Sequence, residues 1–155
     1  MDRNFVDLLS ALNFQSARYL IVGGYAVTYH SEPRGRTTRT SFTRPTLRTA
    51  TLSSGGWLRT VFRSLACRLK TPDQMFRFGR PLYQVDFLPR ITGVDFEEAW
   101  RDRIMVNIEG NVDAPYISAA QLKQNKRAFG RLKDLADVES IEQCESALQP
   151  RKSEQ

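Results

Sequence analysis

The chain has 155 residues, 41% of them apolar and 26% charged, with a formal net charge of +6. That length suits one domain with a real core, and the composition excludes fibrous and wholly disordered classes. No apolar run approaches the ~20 residues needed to span a bilayer, so no membrane partner is expected. The opening residues, Met1 to Asp7, lack the charged-then-apolar layout of an export signal. Cys67 and Cys144 form neither a framework nor a CxxC pair and read as free thiols, so a cytoplasmic location is expected.

Asp2 to Asn13 reads as an amphipathic helix, with Phe5, Leu8, Leu9 and Leu12 at helical spacing and Asp2 placed to favour the dipole. Tyr19 to Val22 is a short aromatic and β-branched run, which predicts a buried strand. Gly23-Gly24 stops it, and Tyr25 to His30 reads as a helix starting directly behind the glycines. Such a unit can hold phosphate, because glycine lets the backbone approach an anion and the first helical N–H groups point at it. The same dipeptide also serves as a plain tight turn. His30, the single histidine, reads as a partly buried polar cap in preference to a base, since no partner motif accompanies it.

The positive charge is concentrated in one window. Between Pro33 and Pro72 there are nine Lys/Arg, thirteen Ser/Thr and no Asp or Glu, leaving 14 basic against 17 acidic residues elsewhere. A run of this kind can be a nucleic-acid-binding arm, since Arg neutralises phosphates and releases counterions, or a solvated loop. From Gly35 to about Arg68 no period is clean; Trp57, Leu58, Val61, Phe62 and Leu65 could form a helix face behind the flexible Ser53 to Gly56. Trp57 and Trp100 are expected in the core.

Regular patterning returns at Tyr83. Tyr83 to Leu88 alternates as a strand, with Tyr83, Val85 and Phe87 on one face and Asp86 on the other. Asp95 is placed to cap a short helix, Phe96 to Arg101. Residues 103–118 read as two strands around a turn at Gly110-Asn111. Ser118 caps a helix that ends at Gly130, and a last helix runs from about Leu132 to Cys144 with Leu135, Val138 and Ile141 inward. Asp134 and Asp137 read as helix-start and surface residues. The polar tail from Gln149 is expected to be disordered. The order of elements predicts an α/β (α+β) domain over residues 1–148, a small mixed sheet flanked by helices, with 35–70 atypical within it.

Several stretches together carry a resemblance. Tyr19 to His30 with Pro33-Arg34 resembles the opening of the nucleotidyltransferase superfamily with the polymerase-β-like fold, in particular small bacterial proteins of the AbiEii toxin type. Val85 to Leu88, Gly93 to Trp100, Ile117-Ser118, Asn125 to Ala128 and Gly130 to Asp137 resemble later parts of that group. The resemblance covers roughly residues 5–34 and 78–142.

It implies Mg2+-dependent transfer of a nucleoside monophosphate from an NTP substrate to an acceptor hydroxyl, and a toxin–antitoxin setting with an antitoxin or other protein partner, or RNA. That chemistry needs a cluster of carboxylates: an Asp-x-Asp on one strand and a third Asp on its neighbour. Asp86 stands where the third is expected, as catalytic and metal-ligating residue, with Gly23 and Gly24 cradling phosphate. Arg34, Lys126 and Lys133, with Arg131, are placed to meet phosphates, although as a bare charge run Lys126 to Lys133 also reads as a solvated helix end. The two expected aspartates fall at Thr38 and Thr40, with Arg39 between them. Neutral hydroxyls are weak ligands for a divalent ion, so the activity is expected to be lost or impaired. The alternative expectation is a non-catalytic binding module whose basic 34–70 segment contacts RNA or a protein. The missing acids lie inside the acid-free window. Translation of residues 35–68 in a shifted frame of GC-rich coding sequence would explain both features.

Overall fold

In the computed structural model the residues described are 3–31, 40–43, 75–80 and 83–148. In chain order they form α1 (Arg3–Phe14), β1 (Leu20–Gly23), α2 (Gly24–His30), β2 (Thr40–Thr43), β3 (Phe76–Arg80), β4 (Tyr83–Leu88), α3 (Phe96–Arg101), β5 (Ile104–Ile108), β6 (Val112–Tyr116), α4 (Ala119–Phe129) and α5 (Leu132–Leu148). The α/β architecture is as expected. The six strands form one mixed sheet in the order β3-β4-β2-β1-β6-β5. β1 runs antiparallel to β2 and parallel to β6, β2 runs parallel to β4, and the outer pairs β3–β4 and β5–β6 are antiparallel.

The apolar run that predicted β1 fills the centre of this sheet. Tyr19, Leu20 and Ile21 are wholly buried, and Val22 nearly so. Each such side chain contributes about 2 kcal/mol on burial, which suits the central strand of a sheet covered by helices. The expected face of α1 packs here too, since Phe5, Leu8, Leu9 and Leu12 are all buried. Asn13 then ties α1 to β6 and to the residue that leads into β1. Its Nδ2 donates to the Asp113 carbonyl at 2.7 Å, and its Oδ1 accepts from the buried Tyr19 hydroxyl at 2.9 Å.

The expected caps are present. Asp95 Oδ1 accepts from the N–H groups of Glu97 (2.9 Å) and Glu98 (3.1 Å), and Ser118 Oγ from that of Gln121 (3.4 Å). α4 ends at Gly130, as its sequence required. α5 departs from expectation in two ways. It continues to Leu148, beyond Cys144, and its inward face includes Asp134 in place of Leu135, which is 44% exposed. A carboxylate accepts burial there because α4 supplies a cation, described below. Trp100, expected in the core, is partly buried, its ring covered by the guanidinium groups of Arg18 (5.1 Å to the centroid) and Arg103 (4.2 Å). Trp57, Cys67 and the tail lie outside the described residues. No helix among the described residues is long and apolar enough to cross a membrane.

Candidate functional site

The bend between β1 and α2 has the predicted form. β1 ends at Gly23, whose φ of 73° and ψ of −141° lie in a region open to glycine and strained for other residues. α2 starts at Gly24 immediately afterwards. The backbone N–H groups of this first turn are the atoms that could meet an anion.

β2 lies between this bend and Asp86. Gly23 is level with Thr40 and Val85, and Val22 is level with Ser41 and Asp86. At about 4.8 Å per strand, Asp86 sits roughly 10 Å from Val22. The strand expected to carry the acidic pair therefore does neighbour the strand carrying Asp86. Thr40 is registered with Val85, one residue away from Asp86's rung, and Thr38 lies outside the described residues.

Asp86 itself is 6% exposed and already has a cationic partner. Arg77, on the same rung of β3, donates from Nε to Oδ1 at 2.7 Å and from Nη2 to Oδ2 at 3.3 Å. This two-point pairing is the strongest geometry a guanidinium and a carboxylate adopt. The hydrogen bond and charge of Asp86 hold the Arg77 pKa above the usual arginine value. Mg2+ prefers several hard oxygen ligands. Here both oxygens of Asp86 are committed to Arg77, and the level residue on β2 is Ser41, a neutral hydroxyl. No group of three or more His, Cys, Asp or Glu side chains suited to a metal occurs among the described residues. Among the described residues, a single carboxylate paired to a guanidinium does not by itself make a Mg2+ site.

Lys126 is turned into the α4–α5 interface, where its ammonium meets Asp134 at 2.7 Å and Asp137 at 2.8 Å. Burial opposes the charge on Lys126, but the two carboxylates outweigh it and raise its pKa. Of Asp134 and Asp137, expected as helix-start and surface residues, Asp134 does lie in the first turn of α5, but it is buried and Asp137 half-buried, both as counter-ions of this lysine. Lys133 and Arg131 are exposed, Arg131 lying over the Phe129 ring at 5.3 Å. Arg34 lies outside the described residues. His30 is half-buried, as expected. Its Nε2 donates to the Ile117 carbonyl at 2.8 Å, since a carbonyl can only accept.

A cleft of about 340 Å3 opens at the other end of β1, lined by Leu20, Pro89, Arg90, Ile91, Val94, Asp95, Phe96 and Ala99. It contains none of the residues expected to bind metal or phosphate, although Asp95, the expected cap of α3, lines it. Arg77 is the residue that sequence reading missed. Phe76-Arg77-Phe78 carries a period of two that places Arg77 opposite its neighbours, and Gly79 and Pro81 mark a turn before Tyr83, but the stretch is too short to read as a strand on its own.

No protein-family model matches the chain, and no curated protein is similar enough to count as a match.

Proposed function

We propose that this chain is a nucleotidyltransferase-type domain that has lost metal-dependent transfer and acts by binding RNA through its basic 34–70 segment. The ordered motifs that resemble that superfamily support the first half of this reading. So does an α/β sheet in which β2 lies between the Gly23-Gly24 bend and Asp86. The observation that carries the loss of transfer is the Arg77–Asp86 pair. Two-metal transfer requires free carboxylates to neutralise a triphosphate and activate a hydroxyl. Asp86 is neutralised by a guanidinium, and threonines stand where its acidic partners are expected. RNA as the partner is supported by nine cationic and no acidic side chains between Pro33 and Pro72, the composition that binds phosphate backbones through counterion release.

Fluorescence anisotropy with a labelled single-stranded RNA tests this reading. Affinity should fall steeply as salt rises and stay unchanged when MgCl2 is exchanged for NaCl at constant ionic strength. Absent or salt-independent RNA binding contradicts the reading, and capture of a protein partner by the same segment would replace RNA with that partner.

A further inference from the structure

The cleft at the start of β1 has walls that the fold holds in place. Residues 91–94 form a tight turn, closed by a bridge between Ile91 and Val94 and passing through Gly93 at φ 75°. α4 fixes this turn through two side chains. The buried Asn125 donates from Nδ2 to the Thr92 carbonyl at 2.8 Å, and Gln124 donates from Nε2 to the Gly93 carbonyl. A Cβ on Gly93 would lie 2.8 Å from that of Ala128, so glycine is what lets the turn seat this closely. Leu20 of β1 and Ala99 of α3, both wholly buried, belong to the core. Phe96 adds an aromatic wall, stacked with Trp100 at 6.0 Å between centroids and lying under the Arg18 guanidinium at 5.4 Å. A pocket made of parts fixed in this way needs little ordering when a ligand enters.

Asp95 gives the cleft an acceptor. Its Oδ1 carries both cap bonds, from the N–H groups of Glu97 and Glu98, and no bond among the described residues engages Oδ2. Arg90 lines the same cleft, and its charge disfavours an ammonium ligand there. A neutral amino group on a flat ring suits the pair Asp95 and Phe96 better. The volume of about 340 Å3 lies near the lower end of ligand pockets, roughly 300–1,000 Å3, and has room for one planar ring system. The position of the cleft points to the source of that ring. Leu20 is level with Thr43, and Thr43 with Leu88, which directly precedes the lining residues Pro89 and Arg90. Thr43 ends β2, and Arg44 follows it in the sequence. The basic 34–70 segment therefore passes the mouth of this cleft.

We propose that the cleft takes one unpaired nucleobase bearing an exocyclic amino group, cytosine in preference to uracil, from RNA held by the basic segment. This rests on the RNA-binding reading above and adds a base preference to it. Asp95 Oδ2 accepts from the amino group, the contact by which a carboxylate reads cytosine N4. Phe96 supplies the aromatic surface against which the base packs. Uracil presents a carbonyl oxygen where cytosine presents its amino group, and a carboxylate repels it. Contacts to phosphate treat every sequence alike, so a preference between these two bases belongs to the cleft.

Fluorescence anisotropy with labelled oligo-C, oligo-U and an abasic oligomer of equal length tests this at neutral pH, since the three share one phosphate backbone. Oligo-C should bind roughly tenfold more tightly than oligo-U, the effect of one hydrogen bond to a charged group. Asp95→Asn keeps the cap, because asparagine caps as well as aspartate, but places an amide N–H where Oδ2 stood. It should shift the preference from oligo-C to oligo-U. Val94→Trp fills the cleft and should lower oligo-C affinity to the abasic level while leaving its salt dependence unchanged. In wild type, the Ile91 and Val94 methyl resonances should move with oligo-C and stay in place with the abasic oligomer. Circular dichroism checks that each variant remains folded, and Asp95→Asn alone decides the matter if Val94→Trp does not fold. Equal, salt-dependent affinity for all three oligomers overturns the cleft proposal and leaves the RNA-binding reading standing. A cytosine preference that survives Asp95→Asn also overturns it. Failure to bind any of the oligomers overturns both.

Discussion

Arg77 and Asp86 occupy the same rung of the β3–β4 ladder, and two hydrogen bonds hold the guanidinium against a carboxylate that is 6% exposed. Removing only the cation leaves that carboxylate buried without compensation, which costs far more than the intact pair contributes. Arg77→Ala should lower the urea midpoint, and Asp86→Asn in the same chain should recover most of the loss. The non-additivity of this double-mutant cycle measures the pairing. An Arg77→Ala midpoint equal to wild type would show that the pair is absent in solution.

Lys126 holds Asp134 and Asp137 at the α4–α5 interface, with its side chain 12% exposed. Lys126→Met should destabilise the fold by about 3 kcal/mol, because two carboxylates are left without a cation. The folded-state pKa is raised above 10.5. The stabilisation is therefore complete below 10.5 and is lost as pH rises through the folded value. Chemical denaturation between neutral and strongly alkaline pH should show the gap between wild type and Lys126→Met closing on the alkaline side. A gap that stays constant argues against the charge as its source.

His30 offers the opposite sign. Burial lowers its pKa from 6.5, only partly opposed by the bond to Ile117 and the field of Glu145. As pH falls below 6.5 the unfolded chain takes up the proton first, so stability declines until the folded-state pKa is passed. With a single histidine in the chain, one ring resonance reports the titration directly. Its NMR midpoint should lie below 6.5, and His30→Asn should flatten the acid limb of the stability curve.

Much of this architecture could be read from residue patterns. Leu8, Leu9 and Leu12 marked α1, the Tyr19 to Val22 run marked β1, and Asp95, Ser118 and Gly130 marked helix ends through local hydrogen-bond chemistry. β2 and β3 could not be read so easily. Thr40 to Thr43 sits in a stretch where threonine and arginine obscure any period, and Phe76-Arg77-Phe78 is too short to announce a strand. The charged partnerships were hidden for a different reason. Lys126 and Asp134 meet only because α4 and α5 fold back on each other, and Arg77 meets Asp86 only through strand register, so local spacing predicts neither.

The acid-free window yields a prediction about the gene. If the basic segment is the RNA-binding element, translating the other two frames across residues 35–68 should give no acidic, periodic segment containing Asp-x-Asp near position 40, and such a segment would replace RNA binding with the shifted-frame explanation. Finding no such segment in either frame removes the shifted-frame explanation and makes the arginine and threonine run native to this protein.

The central claim, that Arg77 stands as the cation of Asp86 where a metal is expected, is tested most directly by calorimetric titration of the protein with ATP, with and without Mg2+. No Mg2+-dependent heat and no transfer of labelled α-phosphate to any acceptor are expected. Saturable ATP binding that requires Mg2+ and disappears in Asp86→Asn would contradict it.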